Sequence, residues 1–149
     1  MKRPPDNVIN DQRKRKCVNN SECERSSALE EGEFGVIESV TVQNFMCHEN
    51  LTLSFEPHMN FIIGQNGSGK SAILTAIILA LGGKSSSTDR FSNIKGFVKS
   101  GKNKAKVEVV LRNGGEGAYK QEVYGEKIVV VREFNKEGTS NYKIKSESG

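Results

Sequence analysis

Gly64, Gln65, Asn66, Gly67, Ser68, Gly69, Lys70 and Ser71 succeed one another in the order G-x-x-x-x-G-K-S. Glycines in such a loop let backbone N–H groups turn inward and approach anionic oxygens with no Cβ in the way. A lysine directly before a hydroxyl residue then adds a mobile positive charge and a cation ligand. The chemistry these types support is the cradling of a polyphosphate. Lys70 is expected to reach the β- and γ-phosphates, and the Ser71 hydroxyl to ligate Mg²⁺. Residues 64–71 therefore point to a nucleotide such as ATP with Mg²⁺; the rival reading is a glycine-rich turn that only begins a helix.

Such a loop works only when anchored between a strand and a helix. The run Asn60-Phe61-Ile62-Ile63 ahead of it is continuously apolar after its first residue, the pattern of a short strand buried on both faces. Behind it, residues 72–81 carry Ile73, Leu74, Ile77, Ile78, Leu79 and Leu81 with no continuous polar side, which predicts a helix buried beside the sheet. Gly82-Gly83 supplies its stop. Upstream, Val36, Ile37, Val40 and Val42 and the alternating run 51–55 read as strands. Downstream, residues 104–113, 119–125, 127–134 and 141–146 read as further strands, with Gly114-Gly115, Gly125 and Gly138 suggesting antiparallel neighbours joined by tight turns. The expected class is α/β: a phosphate-loop fold with a mixed or antiparallel sheet around one buried helix, over residues 34–149.

Residues 1–33 differ in composition. They hold few apolar residues and no period, and they read as a disordered tail. Lys2-Arg3 and the block Arg13, Lys14, Arg15, Lys16 are spaced like a bipartite nuclear-import signal, while the same residues equally suit a solvated basic arm. The chain of 149 residues carries a formal net charge of +4 with 27% charged and 35% hydrophobic residues, ordinary for one globular domain and compatible with an anionic partner. Cys17, Cys23 and Cys47 show no C-x-x-C spacing, and His48 and His58 form no local ligand set with them. Free thiols in a reducing compartment are expected, with no secretory leader and no span across a membrane.

Two phosphate-loop classes are disfavoured by the residues downstream of the loop. The D-x-x-G and N-K-x-D signatures of small GTPases do not occur, and Val129-Val130-Val131 runs into Arg132-Glu133 rather than into a metal-binding Asp. The run 35–83, with "NFMCHENL" ahead of "GQNGSGKSAILTAI" and with "STDR" and "KGFVKSG" behind, resembles the N-terminal half-head of the structural maintenance of chromosomes (SMC) ATPases. Within that family it looks like the sixth paralogue, and the resemblance extends over residues 35–149.

The resemblance implies an ABC-type head built from the two ends of one long polypeptide, of which these residues form the first end. It also implies ATP-driven engagement of two heads, DNA entrapment in double-strand break repair and recombination, and a place in the nucleus on chromosomes. The implied partners are the fifth SMC paralogue, the chain's own C-terminal head lobe, non-SMC accessory subunits and DNA. The Gln-bearing loop, the coiled coil, the signature motif and the Asp-Glu strand of such heads are not among these residues, so no catalytic residue is assigned. Arg90 matches the arginine that comes after the loop helix in SMC heads and touches nucleotide or DNA. A non-catalytic interaction module remains the alternative. Lys84, Arg90, Lys95, Lys99, Lys102, Lys104 and Lys106 face only Asp89 in residues 84–106, which suggests a sequence-independent DNA contact centred on Lys99, Lys102 and Lys104; a solvated lysine loop is the rival.

Overall fold

A computed structural model of the chain describes residues 34–88 and 91–149. The expectations for the tail, its basic clusters, Cys17, Cys23 and Arg90 lie outside the described residues.

Five strands form one sheet: β1 (Ile37–Phe45), β2 (His48–Ser54), β3 (Lys104–Arg112), β4 (Lys127–Asn135) and β5 (Ser140–Ser146). Their order is β2-β1-β3-β4-β5 and every neighbouring pair is antiparallel. Alternation sets what each face does. Val40 and Val42 of β1 pair with Val109 and Val107 of β3, and all four point into the core with Ala105 and Phe134. The intervening residues carry polar pairs, such as Thr41 with Thr52 across β1 and β2 at 3.0 Å and Lys106 with Glu108 at 2.8 Å.

The helix α1 (Lys70–Ala80) lies across the apolar face and packs on β1, β3 and β4. Ala72, Ala76 and Ala80 let it approach closely, and Leu79 inserts fully. Phe45 stacks on Phe97 at 5.8 Å and meets Phe134 edge-on at 6.2 Å, closing the end of the core nearest the β1–β2 turn. Each such fully buried aromatic or aliphatic side chain contributes about 1.5–3 kcal/mol. The helix ends as its glycines predict: Gly82 takes φ +95°, Gly82 N–H bonds the Leu79 carbonyl, and Gly83 N–H bonds the Ile78 carbonyl at 2.8 Å. That pair of bonds is a Schellman stop.

Four expectations are corrected. Residues 60–63 form no strand, and Phe61 and Ile63 are 78% and 90% exposed. A strand buried on both faces needs a neighbour on each side, and no described strand pairs with this segment. The helix α1 is not buried all round, because Leu74 and Leu81 remain on its outer side. Residues 119–125 are not a strand but contain a single helical turn, α2 (Gln121–Tyr124), between left-handed Lys120 (φ 40°) and Gly125 (φ 72°). Finally, β3 and β4 are joined by a folded excursion rather than a tight turn. Buried Asn113 organises it, donating to the carbonyls of Tyr119 and Gly125 and accepting from Tyr119 N–H. No helix among the described residues is long and apolar enough to cross a membrane.

Candidate nucleotide-binding site

The loop 64–69 lies on the surface and leads directly into α1. Gly67 and Gly69 adopt φ +85° and +93°, conformations that side chains rarely tolerate. Gly69 is the N-cap of α1 and offers no side-chain cap, and no acidic residue occupies the first turn. The positive end of the helix dipole therefore meets no carboxylate or capping side chain of its own and is left for an anion. At Gly64 a Cβ would stand 2.7 Å from Ser68 Oγ, and at Gly69 it would collide with Cys47 and His48. Gly69 is thus required by space as well as by backbone angle, Gly67 by angle alone.

Lys70 Nζ donates to the carbonyls of Gly64 and Gln65, 2.7 Å each, which folds its ammonium across the loop. Two of three donors are engaged, and the charge sits where phosphate oxygens would gather. Ser71 comes next in the exposed first turn, with Thr75 Oγ1 donating to its carbonyl at 2.8 Å. The donor set and glycine geometry of residues 64–71 fit a polyphosphate with Mg²⁺. Among the described residues, no group of three or more His, Cys, Asp or Glu could hold a metal ion by itself.

The basic stretch is distributed differently from its sequence. Lys102 Nζ bonds Glu49 Oε1 at 2.7 Å and Lys99 Nζ lies 3.8 Å from Glu49 Oε2, a carboxylate supplied by β2. The hydrogen bond and charge of Lys102, helped by the charge of Lys99, lower the Glu49 pKa from the usual value of 4.5. Lys106 pairs with Glu108. Lys104 lies at the start of β3, beside a polar cleft that also takes in Gln43, Asn135 and Asn141.

Two contacts, one at each end of α1, escape a reading of motifs. His48 Nε2 lies 3.2 Å from the Gly69 carbonyl, tying the β1–β2 hairpin to the loop. Arg132 crosses from β4 to the far end of α1, donating from Nη1 to the carbonyls of Leu79 and Gly83 at 2.7 and 3.2 Å. Its burial lowers its pKa, with Tyr142 acting in the opposite sense. A cation interrupting an otherwise apolar strand was the available sequence signal for Arg132.

Known proteins resemble this chain in sequence and in fold. The family model described as AAA domain matches residues 39–149. Structural maintenance of chromosomes protein 6 of Takifugu rubripes is 53% identical over 116 residues, 77% of this chain and 11% of that protein. The human protein of the same name is 46% identical over 86% of this chain and 12% of its own length. The chain thus spans about a tenth of these relatives. A solved structure described as "Structural biochemistry of ATP-driven dimerization and DNA stimulated activation of SMC ATPases" superimposes with a TM-score of 0.64 at 26% identity, covering 74% of this chain and 70% of that one. An SmcHead bound to the C-winged helix domain of ScpA gives 0.63 at 26% identity, over 73% of this chain and 35% of the other. RecF bound to ATP shares the fold at TM-score 0.60 and 22% identity, over 76% of this chain and 27% of that one. With a phosphate loop capping α1 on an antiparallel sheet, the chain belongs to the AAA-domain family as an N-terminal half-head of the SMC ATPases.

Proposed function

We propose that residues 64–71 hold ATP·Mg²⁺, with the loop N–H groups and Lys70 on the phosphates and the Ser71 hydroxyl on the metal. The observation that carries this reading is the coincidence of left-handed Gly67 and Gly69, an uncapped and acid-free helix start, and Lys70 folded over the same loop. In the whole protein, ATP-driven engagement of two heads would be coupled to DNA entrapment in break repair and recombination, on chromosomes in the nucleus. The relatives named protein 6 support this, as does the SMC structure whose description joins ATP-driven dimerization to DNA-stimulated activation. A head seated on a ScpA domain supports accessory subunits as partners, beside the fifth paralogue and the C-terminal head lobe.

Turnover needs a carboxylate to hold the metal and place the attacking water. Residues 64–71 contain none, so the chain is read as binding nucleotide, with hydrolysis awaiting the second lobe and a partner head. Arg90 and the Lys99, Lys102 and Lys104 group are proposed as secondary contacts to nucleotide or DNA. The test is a calorimetric titration of the chain with ATP, with and without Mg²⁺, for the parent and for Lys70→Ala. Mg²⁺-enhanced binding that disappears in the variant supports the reading. Equal heats for both proteins, or steady ATP hydrolysis that Lys70→Ala abolishes, would overturn respectively the loop assignment and the division of labour.

A further inference from the structure

Resting on the loop's reading as a phosphate site, we propose that His48 is a positioning residue: its ring holds the Gly69 carbonyl and thereby aims the Lys70 N–H at the phosphate. The Gly69 oxygen can only accept, so the ring nitrogen 3.2 Å from it carries the hydrogen. The same oxygen accepts Ala72 N–H at 2.9 Å, so both of its lone pairs are used. No cis peptide occurs among the described residues, and in a trans peptide the C=O and N–H point in opposite directions. Fixing the Gly69 oxygen toward His48 and Ala72 therefore fixes the Lys70 N–H on the side away from them.

The helix holds this peptide from one side only, through Ala72 N–H, and His48 adds the hold from outside the helix. Gly69 has φ +93°, and glycine turns between backbone states at little cost, so a second hold on its carbonyl restricts the peptide further. The exposed loop residues 64–68 add no packing that would hold it. His48, by contrast, is anchored. It pairs with Phe45, which is fully buried and stacked on Phe97. The turn between them holds Met46 at φ 52°, and Asn44, the residue before Phe45 in β1, takes φ 50°. Both strained residues are pinned from one segment: Met46 N–H donates to the Phe97 carbonyl, and Lys99 N–H donates to the Asn44 carbonyl, 2.8 Å each. Backbone held in a sparsely populated state by its surroundings is frequent where geometry serves a site. The hairpin is thus a braced arm whose tip meets Gly69 with the His48 ring, and with Cys47 beside it.

The test measures ATP·Mg²⁺ affinity and melting temperature for the 149-residue chain, for Lys70→Ala, and for His48→Leu and His48→Gln. His48→Leu removes the donor and is expected to weaken binding about fivefold to tenfold, the scale of one hydrogen bond. His48→Gln keeps an N–H donor and should recover most of that loss, which a packing role would not predict. In ¹⁵N spectra with pyrophosphate as the probe, the Lys70 amide should shift less in His48→Leu than in the parent. If His48→Leu melts early, His48→Phe, which keeps a ring without a donor, replaces it. Parent-like affinity in a folded donor-less variant, alongside lost binding in Lys70→Ala, would overturn the role of His48 and leave the loop reading intact. No binding by the parent, or binding unchanged by Lys70→Ala, would overturn both.

Discussion

Arg132 on β4 donates to the carbonyl of Leu79 in the last turn of α1, 2.7 Å away, and so joins the sheet to the end of the helix opposite the phosphate loop. The last turn has no basic residue of its own. Arg132 supplies that charge from another element, with its guanidinium 4.5 Å over the Tyr142 ring and Nε on Ser140 Oγ at 3.1 Å. Tyr142 OH also donates to Leu79, at 3.2 Å. Replacing Arg132 by Leu should cost about 1.5–3 kcal/mol, since it leaves helix carbonyls without a charged donor. Tyr142→Phe should cost about 0.5–1.5 kcal/mol. Urea unfolding of both variants checks the ranking.

The two left-handed loop glycines should respond differently to alanine. At Gly67 an added Cβ meets open space, so only the positive φ is penalised, about 1 kcal/mol. At Gly69 the Cβ also collides with His48 and Cys47, which must displace the hairpin tip from the loop. Gly69→Ala should therefore abolish ATP·Mg²⁺ binding while Gly67→Ala retains part of it. Titrations on folded samples would show whether the order holds.

Glu49 is expected to act as a built-in competitor for DNA phosphate at Lys99 and Lys102. Glu49→Gln should raise affinity for duplex DNA at low salt, and changing Lys99, Lys102 and Lys104 together to Glu should weaken binding and lessen the salt slope by about 2–3. Equal affinity in Glu49→Gln and the parent would remove the competition. Because folding lowers the Glu49 pKa below 4.5, its ion pairs stabilise the fold above that pH and are lost as pH falls through the lower folded value. Glu49→Gln should accordingly flatten the acid limb of a pH-stability profile, by a small amount because the group is solvent-exposed.

Met59, Phe61 and Ile63 are exposed in one short segment, and Leu74 is exposed on the outer side of α1. Apolar surface of this kind favours association. The chain should self-associate with rising concentration, and Phe61→Ser with Ile63→Ser should suppress it. Sedimentation velocity over a tenfold concentration range is the measurement, and monomeric parent throughout would refute the expectation.

By itself the sequence determined the features that depend on residues close together in the chain. The glycine-rich loop 64–71, the helix behind it with its Gly82-Gly83 stop, and β1 to β5 were legible because backbone angles and two-residue alternation are local properties. The segment 60–63 misled because its apolar run reports a need to be covered, and covering depends on neighbours that no local pattern specifies. Residues 119–125 misled for a related reason: buried Asn113 captures Tyr119 and Gly125 and coils the backbone against its strand-like composition. Only the tertiary structure decided which distant groups meet around the loop and its helix. It set His48 on Gly69, Arg132 on Leu79 and Glu49 on Lys102, separations of 21, 53 and 53 residues. Each contact is a hydrogen bond or ion pair whose strength falls off within a few ångströms, and sheet registry and helix docking, not sequence spacing, bring the partners within that range.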